Sequence, residues 1–515
     1  MNKTRVIKFL KKLHKWPAII IALIAILFAV SGIVMNHRQT FSSVNVSRKF
    51  LPAGYTYKNW NQSAIRGAVQ TSREELLYGN IGVWKSVDNF KTVSDFNQGF
   101  PKGIDNRKVY SVKLFQDRLF AGTHFGLYKR NLPKGKWQKI KLPVNNNRIT
   151  DLEIKNDTLL VLTRDYLLLS NNGNEFKTIQ LPEPINYEHK TGLFNTFWEL
   201  HSGELFGLVG KLVVDLLGVV TIVLSITGLL HFFLPKIIRR KKRKEKPVSI
   251  LVQTKKKNLR WHNVVGYIFV LFLIINTFLG MHLRPPLLIA IAKKQVDIIP
   301  GTHLDNPNPW FDKLRRVHWD EVNKRFIFST SDGFYFAEKT FSKKLLPALS
   351  QPPVSVMGCN VLESLTNNKL LVGSFSGMFV WNTQNGIVTE YFTQKPYVPA
   401  YGLARPIAEN MVAGLVQINK KSWWFDYNRG AMVLNSQESQ SAFIPMPETV
   451  LSSSPMSLWN VSQEIHTGRI FEHLVGGFYI LFVPLAGICI LLVLISGFFM
   501  WWMVYKKRGM KVLKN

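Results

Sequence analysis

The sequence predicts a membrane α-helical bundle of four spans, built from two parallel span–insert–span repeats, with all-β inserts outside the cytoplasm. Three observations predict this fold: four apolar stretches, a set of motifs that occurs twice, and a strand–turn–strand unit that recurs between the spans. Each apolar stretch supplies the roughly 20 helical residues needed to cross a hydrocarbon core about 30 Å thick. We expect the inserts to join into one composite β-propeller.

The apolar stretches divide the chain into eight segments. They are, in order, the cytoplasmic N-terminus with span 1 (1–38), an extracytoplasmic β insert that forms half of the propeller (39–195), span 2 (196–235), a basic cytoplasmic loop (236–260), span 3 (261–284), the second extracytoplasmic β insert (285–463), span 4 (464–505) and a cytoplasmic tail (506–515).

Basic residues are concentrated in three of these segments and orient the bundle. Residues 1–17 carry six Lys or Arg and no acid, residues 236–260 carry twelve against Glu245 alone, and residues 506–515 carry five. The positive-inside rule predicts that both termini are cytoplasmic and that the inserts lie outside, which is the periplasm in a cell with two membranes. Membrane lipid is the expected partner of this charge, and no nucleic acid is needed to explain it.

The openings of spans 1 and 3 correspond to each other. His14 lies just before the first span, and Gly32 follows it after eighteen residues. His262 opens the third span, and Gly280 follows it after the same interval. Both spans run outward, so the repeats are related by an axis along the membrane normal.

Spans 2 and 4 share a second motif, E-[LI]-H-[ST]-G, at residues 199–203 and 464–468. Further along come Thr227-Gly228 and Ser496-Gly497. The intervals between the motifs differ by four residues, about one helical turn, so the two helices are not expected to superpose fully.

The inserts contain a recurring β unit. Residues 119–129, 326–336 and 370–381 each read as a strand, a glycine turn and a strand, and residues 77–84 and 159–170 are weaker copies. A unit recurring every ~40 residues is typical of propeller blades. Each insert holds about three units, too few to close alone, so we expect one propeller of six or seven blades. Two separate β-domains are the alternative.

Eight of the twelve histidines lie near span ends, where neutral imidazole can ligate haem iron. A lone interfacial histidine is ordinarily a polar anchor, so the interpretation depends on pairing. His14 and His262 are equivalent and cytoplasmic, whereas His201 and His466 are equivalent and outside. A pseudo-two-fold axis would let each pair face across it, giving two bis-imidazole sites. The rival ligands are His37, His282 and His473 on the outer side and His231 on the inner side.

The position of His201 raises a difficulty. It lies nine residues before Gly210, and on a straight helix that interval is about 13 Å, which would put a haem above the hydrocarbon layer. The remaining histidines fall in the predicted inserts and are assigned to surface or substrate contacts; they are His124, His189, His303 and His318.

Some chemistries are not indicated. Cys359 and Cys489 are too few and too separate for an iron–sulfur cluster, and no Cys-x-x-Cys-His motif for covalent haem occurs. The cytoplasmic segments are too short for a flavin or nicotinamide domain. Electrons would therefore come from a quinol or a separate reductase.

These motifs resemble the PepSY-associated transmembrane family, whose members include bacterial ferric-siderophore reductases. The resemblance rests on Leu13-His14-x-Trp16, on Trp261-His262, on the two E-[LI]-H-[ST]-G openings and on the glycine-terminated spans, and it covers the four spans. The inserts depart from the small α/β module that names the family.

The resemblance implies b-type haem in a bacterial inner membrane and electron delivery to iron chelates outside. The two histidine pairs set the expected number of haems at two. The histidines that match its recurring positions are His14, His201, His262 and His466, with His37 and His282 as further carry-overs.

The leading hypothesis is therefore a haem-dependent ferric (siderophore) reductase that serves iron uptake. The alternative is a non-catalytic, membrane-anchored β-propeller that acts as an interaction module of an uptake or secretion machine. A transporter is a third reading, and Asp215 is the main charge inside a span that would support it.

Overall fold

The computed structural model describes residues 3–366, 368–399, 408–419, 421–434 and 442–505. The chain divides into a membrane unit (Met1–Phe41, His189–Asp305 and Leu458–Asn515) and a β-sheet unit (Ser42–Glu188 and Asn306–Ser457). Parts of the predicted inserts, residues 189–195 and 285–305, thus belong to the membrane unit.

The α-helices range from four to 36 residues in length. They are α1 (Lys3–Asn36), α2 (Leu193–Ser202), α3 (Gly207–Lys242), α4 (Ser249–His282), α5 (Glu448–Ser452), α6 (Leu458–His466), α7 (Glu472–Val475) and α8 (Phe482–Met500).

The β-strands are short, with none of those described exceeding seven residues. They are β1 (Asn45–Val46), β2 (Gly67–Gln70), β3 (Glu75–Gly79), β4 (Gly82–Ser86), β5 (Ser94–Asp95), β6 (Val109–Phe115), β7 (Arg118–Thr123), β8 (Gly126–Asn131), β9 (Gln138–Ile140), β10 (Ile149–Lys155), β11 (Thr158–Thr163), β12 (Leu167–Ser170), β13 (Lys177–Ile179), β14 (Lys190–Gly192), β15 (Gln295–Asp297), β16 (Leu314–Asp320), β17 (Arg325–Thr330), β18 (Gly333–Glu338), β19 (Leu346–Pro347), β20 (Val361–Thr366), β21 (Lys369–Ser374), β22 (Gly377–Asn382), β23 (Val388–Glu390), β24 (Val412–Ile418), β25 (Lys421–Asp426), β26 (Gly430–Val433) and β27 (Met456–Ser457).

Four helical segments within the described residues are long and apolar enough to cross a membrane, which confirms the four predicted spans. Their most apolar windows have mean hydropathies between 2.3 and 3.0, and at most 28% of each window is buried. The outward faces of these helices therefore contact lipid. The segments are Lys3–Asn36, Glu204–Lys242, Ser249–His282 and Arg469–Val504.

The four long helices form a two-by-two arrangement. Helix α1 packs against α3 and α8, and α4 packs against the same two helices. The equivalent helices α1 and α4 therefore stand at opposite corners. The short helices follow the same symmetry, because α6 packs on α1 and α2 packs on α4.

The basic segment between spans 2 and 3 is more helical than the sequence suggested. Helix α3 continues to Lys242 and α4 begins at Ser249, so only six residues of the expected loop 236–260 lie between them. Lysine and arginine are good helix formers, and charge alone does not end a helix.

The second span begins with a sharp break. Helix α2 ends at Ser202, and Gly203 adopts a left-handed conformation with φ +80° while its N–H donates to the Leu200 carbonyl. A second glycine, Gly207, with φ +61°, precedes the long part of the span. Gly468, with φ +75°, ends α6 in the same way.

This break removes the difficulty that the sequence raised for His201. The expectation of a straight helix was wrong, because the left-handed Gly203 turns the chain back on itself. A Cβ at Gly203 would overlap the carbonyl of Gly210. The interval from His201 to Gly210 is thus folded and does not extend about 13 Å along one axis.

Besides the short pair β1–β27, the described residues of the β-sheet unit form six antiparallel sheets of three or four strands, each from strands consecutive in the chain. They are β2–β5, β6–β9, β10–β13, β16–β19, β20–β23 and β24–β26, numbered here as the first to sixth sheets. Each insert contributes three of these sheets. All six belong to one compact unit, so the inserts do not form two separate domains.

Apolar side chains fill the spaces between consecutive sheets. One cluster lies between each sheet and the next, from the first to the sixth. A further cluster, which includes Trp84 and Phe425, lies between the sixth sheet and the first. The short pair β1–β27 joins the two ends of the unit, with Asn45 opposite Ser457.

We predict that Gly203→Ala destabilises the membrane unit more than Gly468→Ala does. Both substitutions put a side chain in the left-handed conformation, which costs about 1–2 kcal/mol. Only at Gly203 does the added Cβ overlap backbone, because at Gly468 it meets the Phe482 side chain, which can move. Thermal unfolding of the two variants in detergent measures the difference in stability. Equal losses of stability in the two variants would contradict the packing argument.

Candidate functional site

The membrane unit brings four histidines together as two pairs. His14 of α1 faces His262 of α4, with ring centroids 6.2 Å apart and ring planes at 79°. His201 at the end of α2 faces His466 at the end of α6, with centroids 6.0 Å apart and planes at 46°. Each pair joins repeat-equivalent residues.

Both histidines of the first pair are anchored through Nδ1. His14 Nδ1 lies 2.9 Å from the Val493 carbonyl and 3.4 Å from Ser496 Oγ. His262 Nδ1 lies 2.8 Å from Thr227 Oγ1. The Thr227 hydroxyl donates to a carbonyl of its own helix, so its oxygen accepts from the imidazole.

The second pair is anchored in the same way. His201 Nδ1 lies 3.0 Å from the Asn276 carbonyl, and His466 Nδ1 lies 3.0 Å from the Phe28 carbonyl and 3.1 Å from Ser31 Oγ. A ring nitrogen that faces a carbonyl must carry the proton. Nε2 of each ring therefore carries the lone pair, which is the tautomer required for coordination through Nε2.

Each imidazole also packs against a glycine of a neighbouring helix. A side chain at any of these glycines would meet the ring within ordinary contact distance or closer. The distances from an ideal Cβ to the imidazole Cε1 are 2.9 Å from Gly497 to His14, 3.5 Å from Gly228 to His262, 2.5 Å from Gly280 to His201 and 3.3 Å from Gly32 to His466.

The spacing within each pair suits a metal between the rings. A bond from metal to imidazole nitrogen is about 2 Å long, so two imidazoles on opposite sides of one ion have centroids about 6 Å apart. Haem iron takes only two axial ligands from the protein. The spacing of each pair therefore fits two axial ligands on one haem iron.

The two pairs lie near opposite ends of the bundle. Along α1, eighteen residues separate His14 from Gly32, which contacts the second pair. Along α4, the same interval separates His262 from Gly280. At about 1.5 Å per residue this is about 27 Å, close to the thickness of a hydrocarbon core.

Comparison with protein families matches residues 2–234 and 236–503 to the PepSY-associated TM region. The chain belongs to that family. The match covers both β inserts as well as the four spans, so it extends well beyond the spans that carry the motifs. A search of curated proteins returned no match.

The chain is similar, at low TM-scores, to several solved structures, including these three. The extracellular domain of the hybrid two-component system BT4673 from B. thetaiotaomicron has a TM-score of 0.37 at 10% identity, covering 74% of this chain and 34% of that one. This chain thus spans about a third of that relative. The designed protein Ika8 has a TM-score of 0.29 at 8% identity, covering 73% of this chain and 97% of that one. PorZ, a surface component of the type-IX secretion system of Porphyromonas gingivalis, has a TM-score of 0.17 at 9% identity, covering 70% of this chain and 44% of that one.

The rival ligand His37 of this PepSY-associated protein has another partner. Its Nε2 lies 2.5 Å from Asp215 Oδ2, and Asn36 donates to the other carboxylate oxygen at 3.2 Å. Asp215, the internal charge that the sequence singled out, thus binds the end of α1. His37 directs its Nε2 at a carboxylate and not at another imidazole.

The other rivals lie outside the two pairs. His282 directs Nδ1 at the Phe278 carbonyl of its own helix at 2.7 Å, and its ring packs on the Phe278 ring. His473 is exposed, with Nδ1 2.7 Å from the Ile470 carbonyl. His231 is also exposed, but it lies close enough to His14 and His262 to interact with both electrostatically, so it stays a rival at the first pair.

The four remaining histidines divide between the units. His124 and His318 lie in the β-sheet unit, as expected, whereas His189 and His303 lie in the membrane unit, because residues 189–195 and 285–305 pack there. Their polar contacts are His124 with Tyr110, His318 with Ser364, His189 with Asp305 and His303 with Glu199.

The motif glutamates have roles that sequence reasoning missed. Glu199 lies 3.0 Å from His303 Nδ1, and this hydrogen bond raises the pKa of His303. The equivalent Glu464 pairs with Arg469 at 3.2 Å. Both glutamates are buried. Their recurrence two residues before each histidine was the available signal.

If each pair holds a haem, we predict that Gly280→Ala impairs haem binding at the second pair, whereas Gly228→Ala leaves the first pair intact. The added Cβ would lie 2.5 Å from His201 Cε1 in the first variant and 3.5 Å from His262 Cε1 in the second. The measurement is the haem-to-protein ratio of each purified variant. Equal ratios would show that the glycine contact does not position His201.

Proposed function

We propose that this protein transfers electrons across a membrane through two b-type haems and reduces a ferric chelate, such as siderophore-bound iron, for iron uptake. His14 and His262 would hold one haem, and His201 and His466 the other. The observation that carries the proposal is the repeated pair: two imidazoles about 6 Å apart, each with Nδ1 hydrogen-bonded so that Nε2 is the coordinating atom.

Haem supplies one-electron chemistry at iron, and the protein supplies orientation and electrostatics. The carbonyls of Val493, Asn276 and Phe28 fix three of the rings, and the Thr227 hydroxyl fixes the fourth. Such outer contacts raise the basicity of the ligand and thereby influence the potential.

The direction of transfer follows from the charges flanking the spans. The positive-inside rule supports cytoplasmic termini, with His14 and His262 on the inner side and the β-sheet unit in the periplasm. Electrons would enter the inner pair from a quinol or a separate reductase. They would leave through the outer pair, and the acceptor would be the ferric chelate.

The β-sheet unit is the candidate for binding that chelate. We infer that its six sheets are the blades of one propeller composed of both inserts. Supporting this, the backbone N–H of Leu415 in the sixth sheet donates to the carbonyl of Arg66, which precedes the first sheet, at 3.2 Å. The apolar cluster between these two sheets supports the same arrangement.

We predict about two haems per chain, with low-spin reduced spectra after dithionite, in wild-type protein purified in detergent. His14→Ala or His262→Ala should reduce the pyridine haemochrome value by about half, because one axial ligand of the inner haem is lost. His282→Ala and His473→Ala are the matched controls and should keep the full value.

Two outcomes would contradict the proposal. Wild-type protein that stays colourless after expression with a haem precursor would favour the anchored interaction module. Full haem content in both His14→Ala and His262→Ala would show that the inner ligands are assigned wrongly.

We also predict that Thr227→Val raises the midpoint potential of the inner haem without lowering haem content. The substitution removes the oxygen that accepts from His262 Nδ1, so the imidazole becomes a weaker donor to ferric iron. A tenfold change in relative affinity for the two oxidation states corresponds to about 59 mV. Thr221→Val is the control, because the Thr221 hydroxyl donates to the Leu217 carbonyl of its own helix. Redox titration of the two variants and of the wild type measures the midpoint potentials. A potential of Thr227→Val equal to that of the wild type would refute the predicted effect.

A further inference from the structure

Arg66 occupies an unusual position in the β-sheet unit. It directly precedes β2, and its backbone bonds to two sheets: its N–H donates to the Tyr78 carbonyl at 2.7 Å, and its carbonyl accepts from Leu415 N–H at 3.2 Å. These bonds hold the Cα of Arg66 at the junction of the first and sixth sheets.

The side chain of Arg66 reaches two other sheets. Its Nη1 donates to Asn360 Oδ1 at 3.1 Å, and its guanidinium carbon lies 5.1 Å from the centroid of the Tyr110 ring. Asn360 immediately precedes β20 of the fifth sheet, and Tyr110 belongs to β6 of the second sheet. The side chain of Arg66 therefore contacts the second and the fifth sheets, although its backbone lies beside the first. This is the place where β2, β6 and β20, the opening strands of these three sheets, converge.

Neighbouring cations of this region have carboxylate partners. Arg316 Nε lies 3.1 Å from Asp151 Oδ2, and Lys113 Nζ lies 3.2 Å from Glu153 Oε2. For Arg66, the described residues provide no carboxylate within 4 Å. Its Nε is buried and lacks a hydrogen-bond partner within the same residues.

Charges of both signs lie in the region of Arg66, because Arg316 acts on Arg66 electrostatically while Asp151 and Glu363 act on Arg316. Arg148 lies with its guanidinium carbon 6.0 Å from the same Tyr110 ring. Burial lowers the pKa of Arg66, and Arg316 lowers it further, while Tyr110 opposes the shift. An anion in this region would relieve the desolvation and the repulsion.

Arginine is suited to oxyanions because its planar guanidinium presents parallel N–H donors to carboxylate or phosphate oxygens. An aromatic ring against the guanidinium adds a cation–π contact and restricts its orientation. Arg66 has both features: an unsatisfied Nε donor and the Tyr110 ring.

We propose that Arg66, packed on Tyr110 and with Arg148 adding charge, binds the carboxylate or phosphate group of a small anionic ligand in the β-sheet unit. This site does not require the histidine pairs, so it stands whether or not the protein carries haem. A ferric chelate bearing carboxylates would be one such ligand if the proposed function holds.

The test is isothermal titration of the full chain in detergent with iron-free citrate and, separately, with inorganic phosphate. Binding of citrate alone identifies a carboxylate site, and binding of phosphate alone identifies a phosphate site. Arg66→Gln should weaken binding of the preferred anion tenfold or more. Arg66→Lys should recover only part of it, because lysine keeps the charge without the planar donors.

Arg118→Gln is the matched control. It removes the same charge from the start of β7, where Arg118 donates to Gln116 Oε1 and the Asn172 carbonyl. The affinity of this variant for the preferred anion should equal that of the wild type. Equal losses in Arg118→Gln and Arg66→Gln would overturn the proposal, because they would indicate general charge attraction.

A wild-type measurement avoids any folding defect in the variants. Phenylglyoxal modifies accessible arginines, and peptide mass spectrometry locates the adducts. The preferred anion should slow modification of Arg66 several-fold and leave Arg118 unchanged. If neither citrate nor phosphate binds or protects Arg66, the side chain is a brace between sheets and the proposal is wrong.

Discussion

The membrane unit depends on how each of four imidazoles is held between two neighbouring groups. A carbonyl or hydroxyl oxygen accepts from Nδ1, and a glycine on a neighbouring helix leaves room for the ring, as Gly280 does for His201. The hydrogen bond sets the tautomer and the glycine sets how closely the helices approach. Without the glycines the rings could not lie between the helices, and the two histidines of each pair would not face each other.

The breaks in spans 2 and 4 serve the same geometry. Gly203 and Gly468, the last residues of the motif, end α2 and α6 in a left-handed conformation. The short helices can then pack on α4 and α1, which brings His201 and His466 against glycines of the opposite repeat. The motif E-[LI]-H-[ST]-G thus combines a ring, a helix stop and a buried glutamate that is ion-paired to a neighbouring segment.

The β-sheet unit follows a different principle. Its sheets are joined by apolar clusters, and both inserts contribute three sheets, so neither insert could bury its exposed faces alone. Charged side chains occur where the first strands converge, and most of them are paired, as Arg316 is with Asp151. Arg66 departs from this rule, which is why it stands out as a candidate ligand-binding residue.

The sequence by itself determined the spans, the duplication and the β inserts, because hydropathy, motif spacing and turn glycines are local signals. It also indicated which histidines are equivalent, and the structure brings His14 to His262 and His201 to His466. It could not separate these residues from His37, because only the folded chain puts Asp215 beside His37. The bend at Gly203, the partner of Glu199 and the surroundings of Arg66 were likewise decided by tertiary structure. Each depends on residues far apart in the chain, and no local pattern records such contacts.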